Sequence, residues 1–251
     1  MIYVVGNGES RREIDIQDLR TKGKVYGCNA IYRDEKVDVL VAGDHNMQHE
    51  IYFSGYAKNH LCYFTFWNKL PASVYQMTIS NLGLSKDMVL KDTPCVFEHG
   101  KSSEEFVMQG HSDAEVIYVC WIDPEGDKVR SFEDHYPHHP KGFGRELTSF
   151  STGNMAVYMA AHDNPGEDIY LVGFDMKILT EGKINNVYLG TSNYDHDIML
   201  NDYRGTSKDI MRQYRSRYEL WKSELKLVMS QFSNNFIGIG DKGHYYPFVD
   251  C

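Results

Sequence analysis

Four apolar runs of strand length stop on glycine or on a short polar side chain, and this punctuation restricts the fold more than any compositional figure does. Ile2-Tyr3-Val4-Val5 breaks into Gly6-Asn7-Gly8, and Lys24-Val25-Tyr26-Gly27-Cys28 ends at Asn29. Residues 37–42 stop at Gly43-Asp44, and Ile169-Tyr170-Leu171-Val172 passes through Gly173-Phe174 to Asp175. Near-continuous apolar runs belong to strands buried on both faces, and such strands lie in parallel sheets joined by helical crossovers. The alternation with helix-like segments predicts an α/β fold: a single Rossmann-like, doubly wound, mostly parallel sheet with helices on both faces. Ligands of such sheets sit beyond the carboxyl ends of the strands, which makes Asn7, Asn29, Asp44 and Asp175 candidate site residues.

In the opening turn, the two glycines permit positive φ and let backbone N–H groups approach a ligand closely. Ser10 is placed to cap a helix whose positive end attracts phosphate. The turn is not a dinucleotide fingerprint, because the third small position of G-x-G-x-x-G is Arg11. An ordinary strand-to-helix turn accounts for the same residues.

Further along, residues 13–19 fit either a short helix or an extended linker, and residues 61–66 read as a strand. A helix is expected over about 72–82, a short strand at Cys95-Val96-Phe97 and another strand over 115–121. Residues 123–150 form a long polar stretch and residues 176–202 a second one; loops of this length inside a domain are lids or disordered segments. The first contains Asp134-His135-Tyr136-Pro137-His138-His139-Pro140. A solvated lid is preferred there to a metal cluster, because H-x-x-H-H in a loop lacks the i, i+4 geometry of a helical zinc site, and no metal is expected.

Between the two loops, Ser151 or Thr152 is a natural N-cap for a helix of small residues that reaches Ala161 and ends before Asn164-Pro165-Gly166. A last long helix, about 207–232, carries Ile210, Tyr214, Trp221, Leu225 and Val228 on one stripe. Its other face holds Lys208, Arg212, Arg215, Arg217, Lys222 and Lys226, and a closing strand follows over 235–240. Residues 1–251 are expected to form one domain, with lid regions about 123–150 and 176–202.

With 42% hydrophobic and 24% charged residues over 251 positions, the chain can bury a sizeable core and is not a disordered one. A formal charge of −9 argues against a protein that coats nucleic acid, while leaving room for the basic face of the last helix. Five cysteines without a C-x-x-C pair read as reduced, mostly buried thiols. No apolar run approaches the roughly 18 residues that span a bilayer, and no signal peptide precedes the first strand. A soluble, cytoplasmic protein with no membrane span is therefore expected.

Three stretches resemble the bacterial sialyltransferases that build lipooligosaccharide outer cores and, more loosely, a wider group of Gly-Asn-Gly-Pro-Ser nucleotide-binding proteins. Gly6-Asn7-Gly8-Glu9-Ser10 resembles the family's opening G-N-G-P-S, with Glu9 in place of proline. Cys28-Asn29-Ala30-Ile31-Tyr32 resembles its C-N-x-x-Y. Ser151-Thr152-Gly153 through Tyr170-Leu171-Val172-Gly173-Phe174-Asp175 resembles its S-G-V-Y-M helix and I-Y-L-S-G-I-D strand, with the middle of the chain unmatched. The resemblance implies a Rossmann-like glycosyltransferase domain with a lid, using a nucleotide sugar as co-substrate, with no cofactor and no metal. Asn7, Gly8 and Asn29 would bind the nucleotide, Ser151, Thr152 and Gly153 the donor phosphate or sugar, and Asp44 would make a further polar contact.

Sugar transfer must stabilise a departing phosphate and accept a proton from the incoming hydroxyl. By the same resemblance Lys177 stands near the first of the family's two phosphate-binding tyrosine positions and Tyr188 matches the second, but Thr191 occupies the place of the family's histidine base. A threonine hydroxyl is no base near neutral pH; His196 is the replacement candidate, backed by Asp195, Asp44 and Asp175. The family's basic, membrane-associating tail has no counterpart after His244-Tyr245-Tyr246-Pro247, which directs the expectation to a soluble acceptor. That acceptor would be a glycan, a small molecule, or a hydroxylated base in DNA as in phage DNA modification. Two alternatives stand beside transfer: a Mg²⁺-dependent pyrophosphokinase-like enzyme using Asp44 and Asp175, and a nucleotide-binding module without catalysis.

Overall fold

The computed structural model describes residues 1–65, 67–71, 105–110, 117–121, 128–137, 139–140, 142–176, 185–194, 207–240 and 243–248. In chain order the strands are β1 (Ile2–Val5), β2 (Lys24–Cys28), β3 (Val39–Ala42), β4 (Leu61–Phe64), β5 (Trp67–Pro71), β6 (Glu105–Gly110), β7 (Ile117–Trp121), β8 (Val129–Ser131), β9 (Ile169–Val172), β10 (Phe236–Ile239) and β11 (Tyr245–Pro247). The helices are α1 (Ile16–Lys22), α2 (His45–Phe53), α3 (Tyr56–Asn59), α4 (Thr152–Asp163) and α5 (Ser207–Met229). They fall into two compact units, Met1–Val41 with His138–Cys251, and Ala42–Pro137.

The first unit is α/β and Rossmann-like. Its strands run in the order β11-β10-β9-β1-β2-β3, parallel throughout except for the β10–β11 pair. β1 is central, with Ile2 aligned to Lys24 on one side and to Ile169 on the other. The chain steps outward from β1 to β3 and later re-enters at β9 on the opposite side of β1, so the strand order reverses between β1 and β9. This is where such sheets form their ligand crevice. All four β1 residues are buried, as a strand covered on both faces requires.

One cover is α4, in which Thr152 and every residue from Asn154 to Ala161 are buried. Its small residues, Gly153, Ala156, Ala160 and Ala161, bring it close to β1 and β2, and α5 packs on it in turn. Tyr26 on this face donates to Asp163 at the helix end, 3.0 Å. Tyr3 has the opposite parity and lies among the charges of Lys22 and Asp18 on α1. The open choice over residues 13–19 resolves as helix because Asp15 caps α1, accepting from Asp18 N at 3.0 Å.

The second unit pairs β4 with β8 in parallel and forms an antiparallel meander from β5, β6 and β7. Buried Gln48 stitches its turns, donating from Nε2 to Ala42 O at 2.7 Å and to Thr65 O at 3.1 Å. Phe132 and Tyr136 pack together, and Tyr136 meets Tyr63 edge-on.

Several elements differ from expectation. The turn after β1 leads into a single 3-10 helix, Glu9–Glu13, and α1 begins only after it. The stretch expected as a polar loop contains β8 and buries Phe132, Tyr136, Phe143, Leu147 and Phe150, because aromatic residues spaced along a polar sequence each reach a core. β5 and β6 were not foreseen, and β7 belongs to an antiparallel sheet. The expected helix over 72–82 and strand at 95–97 lie outside the described residues. Cys28 and Cys62 are buried free thiols. Among the described residues no helix is long and apolar enough to cross a membrane.

Candidate functional site

The Gly6-Asn7-Gly8 turn leaves β1 at the strand-order reversal and is clamped to the exit of β9. Gly6 N donates to Val172 O at 2.8 Å, and Gly8 N to Gly173 O at 2.9 Å. Neither turn glycine has positive φ; Gly8 is extended at φ −68°, ψ 154°. Their purpose is close approach. A Cβ on Gly8 would lie 2.6 Å from both Asp175 Oδ2 and Gly173 O, and one on Gly6 would lie 2.7 Å from Gly173 O.

Side chains take the next two amides. Glu9 N donates to Asn185 Oδ1 at 2.7 Å and Ser10 N to Asp175 Oδ2 at 3.0 Å, while Ser10 Oγ donates to Asp175 Oδ1. Ser10 therefore lies inside the 3-10 helix and is not its cap; the cap position is Gly8, which has no side chain to offer. Arg11 N closes back on Gly8 O at 3.2 Å. The amides of Gly6, Gly8, Glu9, Ser10 and Arg11 are committed within the protein, so the turn lacks the run of free amides that makes a P-loop cradle. Both oxygens of Asp175 are likewise engaged.

Asn7 reaches sideways to the next strand end, donating from Nδ2 to Cys28 O at 3.4 Å, and its buried Oδ1 has no hydrogen-bond partner. Beside it Asn29 is held at φ 51°, a left-handed conformation that asparagine tolerates better than most residues. Gly153, in the first turn of α4, faces the Phe174 ring at 3.4 Å from where its Cβ would be, and Gly6 faces the same ring at 3.3 Å. The structure thus gathers Asn7, Gly8, Asn29 and Gly153 around the carboxyl ends of β1, β2 and β9.

Above these strand ends lies a cluster that sequence reasoning found only in part. Arg11 is 5% exposed and pairs through Nη2 with Asp34 Oδ2 at 3.1 Å. The same nitrogen donates to the Tyr188 hydroxyl, which donates in turn to Asp34 Oδ1. Burial pushes the Tyr188 phenol far above its ordinary range; the charge of Arg11 opposes this and the bond to Asp34 adds to it. Tyr188 is therefore a neutral hydrogen-bonding group throughout the physiological range. Arg33 lies 5.7 Å from the Tyr188 ring centre, donating to Thr191 Oγ1 at 2.7 Å and to Ser192 O at 2.8 Å. Thr191 Oγ1 also donates to Tyr188 O at 2.6 Å, so its hydroxyl fastens the turn.

At α4, Ser151 is the N-cap and accepts from Asn154 N at 3.3 Å. The anion that this helix end attracts comes from the chain itself. Glu224 of α5, 3% exposed, accepts at Oε2 from Ser151 N at 3.0 Å and from Asn154 Nδ2 at 2.9 Å, and pairs at Oε1 with Arg145. Thr152 is buried directly behind the cap.

Asp44 belongs to the second unit, flanking the start of α2 without a side-chain cap bond. Lys177 and His196 lie outside the described residues. His135 bonds Ser131 O through Nδ1 at 3.0 Å, and His139 stands 3.9 Å from Glu146. Among the described residues no three of His, Cys, Asp and Glu come together as metal ligands would. Arg11, Asp34, Asn185 and Glu224 escaped the sequence reading. Glu224 did leave a signal, as a carboxylate three residues after Trp221 and four before Val228, on the apolar stripe of its helix. No family model matches the sequence, and neither curated proteins nor solved structures give a match.

Proposed function

We propose that this chain is a metal-independent glycosyltransferase that takes a sugar from a nucleotide-sugar donor, as its resemblance to the lipooligosaccharide sialyltransferases implies. The observation that carries the reading is the placement of Asn7 against the end of β2, with a buried carbonyl oxygen lacking a partner and Asn29 held left-handed beside it. Polar side chains and an unusual backbone conformation, gathered where the strand order reverses, are features of a ligand crevice. In this reading Asn7 and Asn29 hold the nucleotide and Gly153 borders the donor. Lys177 and Tyr188 serve the departing phosphate, and His196 takes the acceptor proton. Tyr188 stays neutral, because its buried phenol does not ionise near neutrality, and would have to turn its hydroxyl proton from Asp34 to the phosphate. The acceptor is a soluble glycan, a small molecule or a hydroxylated DNA base, and the buried thiols Cys28 and Cys62 fit a reducing cytoplasm.

The pyrophosphokinase alternative is disfavoured by Asp175, whose two oxygens are engaged by Ser10 and would have to be released to hold Mg²⁺. A nucleotide binder without catalysis is the second reading, favoured by the engagement of Thr191 at the place of the family's base. Thermal-shift screening with nucleotide sugars, followed by mass spectrometry for donor hydrolysis or transfer, tests the proposal. Turnover that persists in EDTA is expected. Stabilisation without turnover would leave the binder, and turnover abolished by EDTA would overturn metal-free transfer.

A further inference from the structure

If a phosphorylated ligand enters this crevice, most of the usual backbone devices are already engaged: the turn after β1 has committed the amides of Gly6, Gly8, Glu9 and Ser10, and the end of α4 holds Glu224. A fixed cation would supply what they do not. Arg11 departs from the strand-order reversal itself, its Cβ only 3.3 Å from where a Cβ on Gly173 would stand. Its guanidinium is used unevenly. Nη2 serves Asp34 and Tyr188, whereas Nη1 is buried with no hydrogen-bond partner. A buried charged N–H without an acceptor is costly, and a planar guanidinium with a donor unused is suited to a phosphate oxygen. Arg33 adds a second guanidinium near the same Tyr188 ring.

We infer that Arg11 is the phosphate-recognising side chain of this site, offering its unpartnered Nη1 donor to a phosphate oxygen, with Asp34 as the internal anion that an incoming phosphate competes with. The inference rests on the nucleotide-sugar reading for the identity of the phosphate's carrier, though not for the anion site itself. Asp34 is 53% exposed, which makes it the member of the cluster free to shift when an anion arrives.

Calorimetric titration of wild type, Arg11→Gln, Arg11→Lys and Asp34→Asn tests this, with inorganic pyrophosphate, the four ribonucleosides and their 5′-diphosphates as probes. Arg11→Gln is expected to weaken pyrophosphate and diphosphate binding by about tenfold or more while leaving nucleoside affinity within about twofold. Arg11→Lys should fall between, and Asp34→Asn should tighten pyrophosphate binding by removing a competing anion. Equal losses for nucleoside and diphosphate in Arg11→Gln, or weaker pyrophosphate binding in Asp34→Asn, would make the cluster a structural brace and overturn the inference. So would a wild type that binds none of the probes. Arg11-dependent binding of pyrophosphate without any nucleoside or nucleotide binding would uphold the anion site and sink the donor reading.

Discussion

Two of the arginine–carboxylate pairs in the first unit are each buried at one end, and at opposite ends. In the Arg11–Asp34 pair the cation is hidden and the anion is more than half exposed; in the Arg145–Glu224 pair the anion is hidden and the cation is 37% exposed. Glu224 has both oxygens committed to donors and an ion-pair partner, and it ties α5 to the first turn of α4. Arg11 has Nη2 committed and Nη1 without an acceptor. A buried charge with all its bonds made is an anchor, and one with a bond left over is a receptor.

The largest test of this contrast is removal of the hidden anion. Glu224→Ala is expected to lower the unfolding free energy by about 3–5 kcal/mol in urea titrations, because Arg145, Ser151 N and Asn154 lose their common acceptor. A loss below about 1 kcal/mol would deny that the pair anchors anything. Next comes Gly8→Ala, whose Cβ would press on Asp175 and Gly173 and disturb the turn that carries Arg11, at about 1–3 kcal/mol. Replacing the hidden cation by an apolar side chain of similar length, Arg11→Met, should cost only about 1 kcal/mol, since Asp34 is left facing water. A cost equal to that of Glu224→Ala would erase the distinction.

The smallest effect is a pH slope. Burial raises the Tyr188 phenol, Arg11 opposes and Asp34 adds, so the folded state keeps this proton longer than the unfolded chain does. Its contribution is fully present below the ordinary value of 10.0 and declines as pH rises beyond it. Tyr158, raised by burial alone, declines likewise, so the comparison of wild type with Tyr188→Phe between about pH 9 and 11 isolates the cluster. The variant should lose stability less steeply.

The strands of the parallel sheet were legible because burial on both faces demands uninterrupted apolar residues, and β1, β2, β3 and β9 supply them. The Ser151 cap and the small-residue face of α4 were legible for equally local reasons. Asn7 and Asn29 could be singled out as polar residues ending strands. What no local pattern carries is the partner. Ser10 reads as a cap for its own helix, yet its bonds go to Asp175, 165 residues away. Arg11 stands out in the sequence only as the residue that breaks a dinucleotide fingerprint, and nothing near it announces Tyr188, 177 residues on. Phe132, Phe143 and Phe150 were hidden by the polar residues between them.

β1 is synthesised well before it is completed. Lys24 can join Ile2 almost at once, but the strand's other edge waits for Ile169, and its turn waits for Asp175. At about 5–20 residues per second, a nascent chain carries that open apolar edge for on the order of ten seconds. The sheet therefore nucleates through distant contacts, slowly by the standards of local topologies, and β1 stays half-paired until the later half of the chain has emerged.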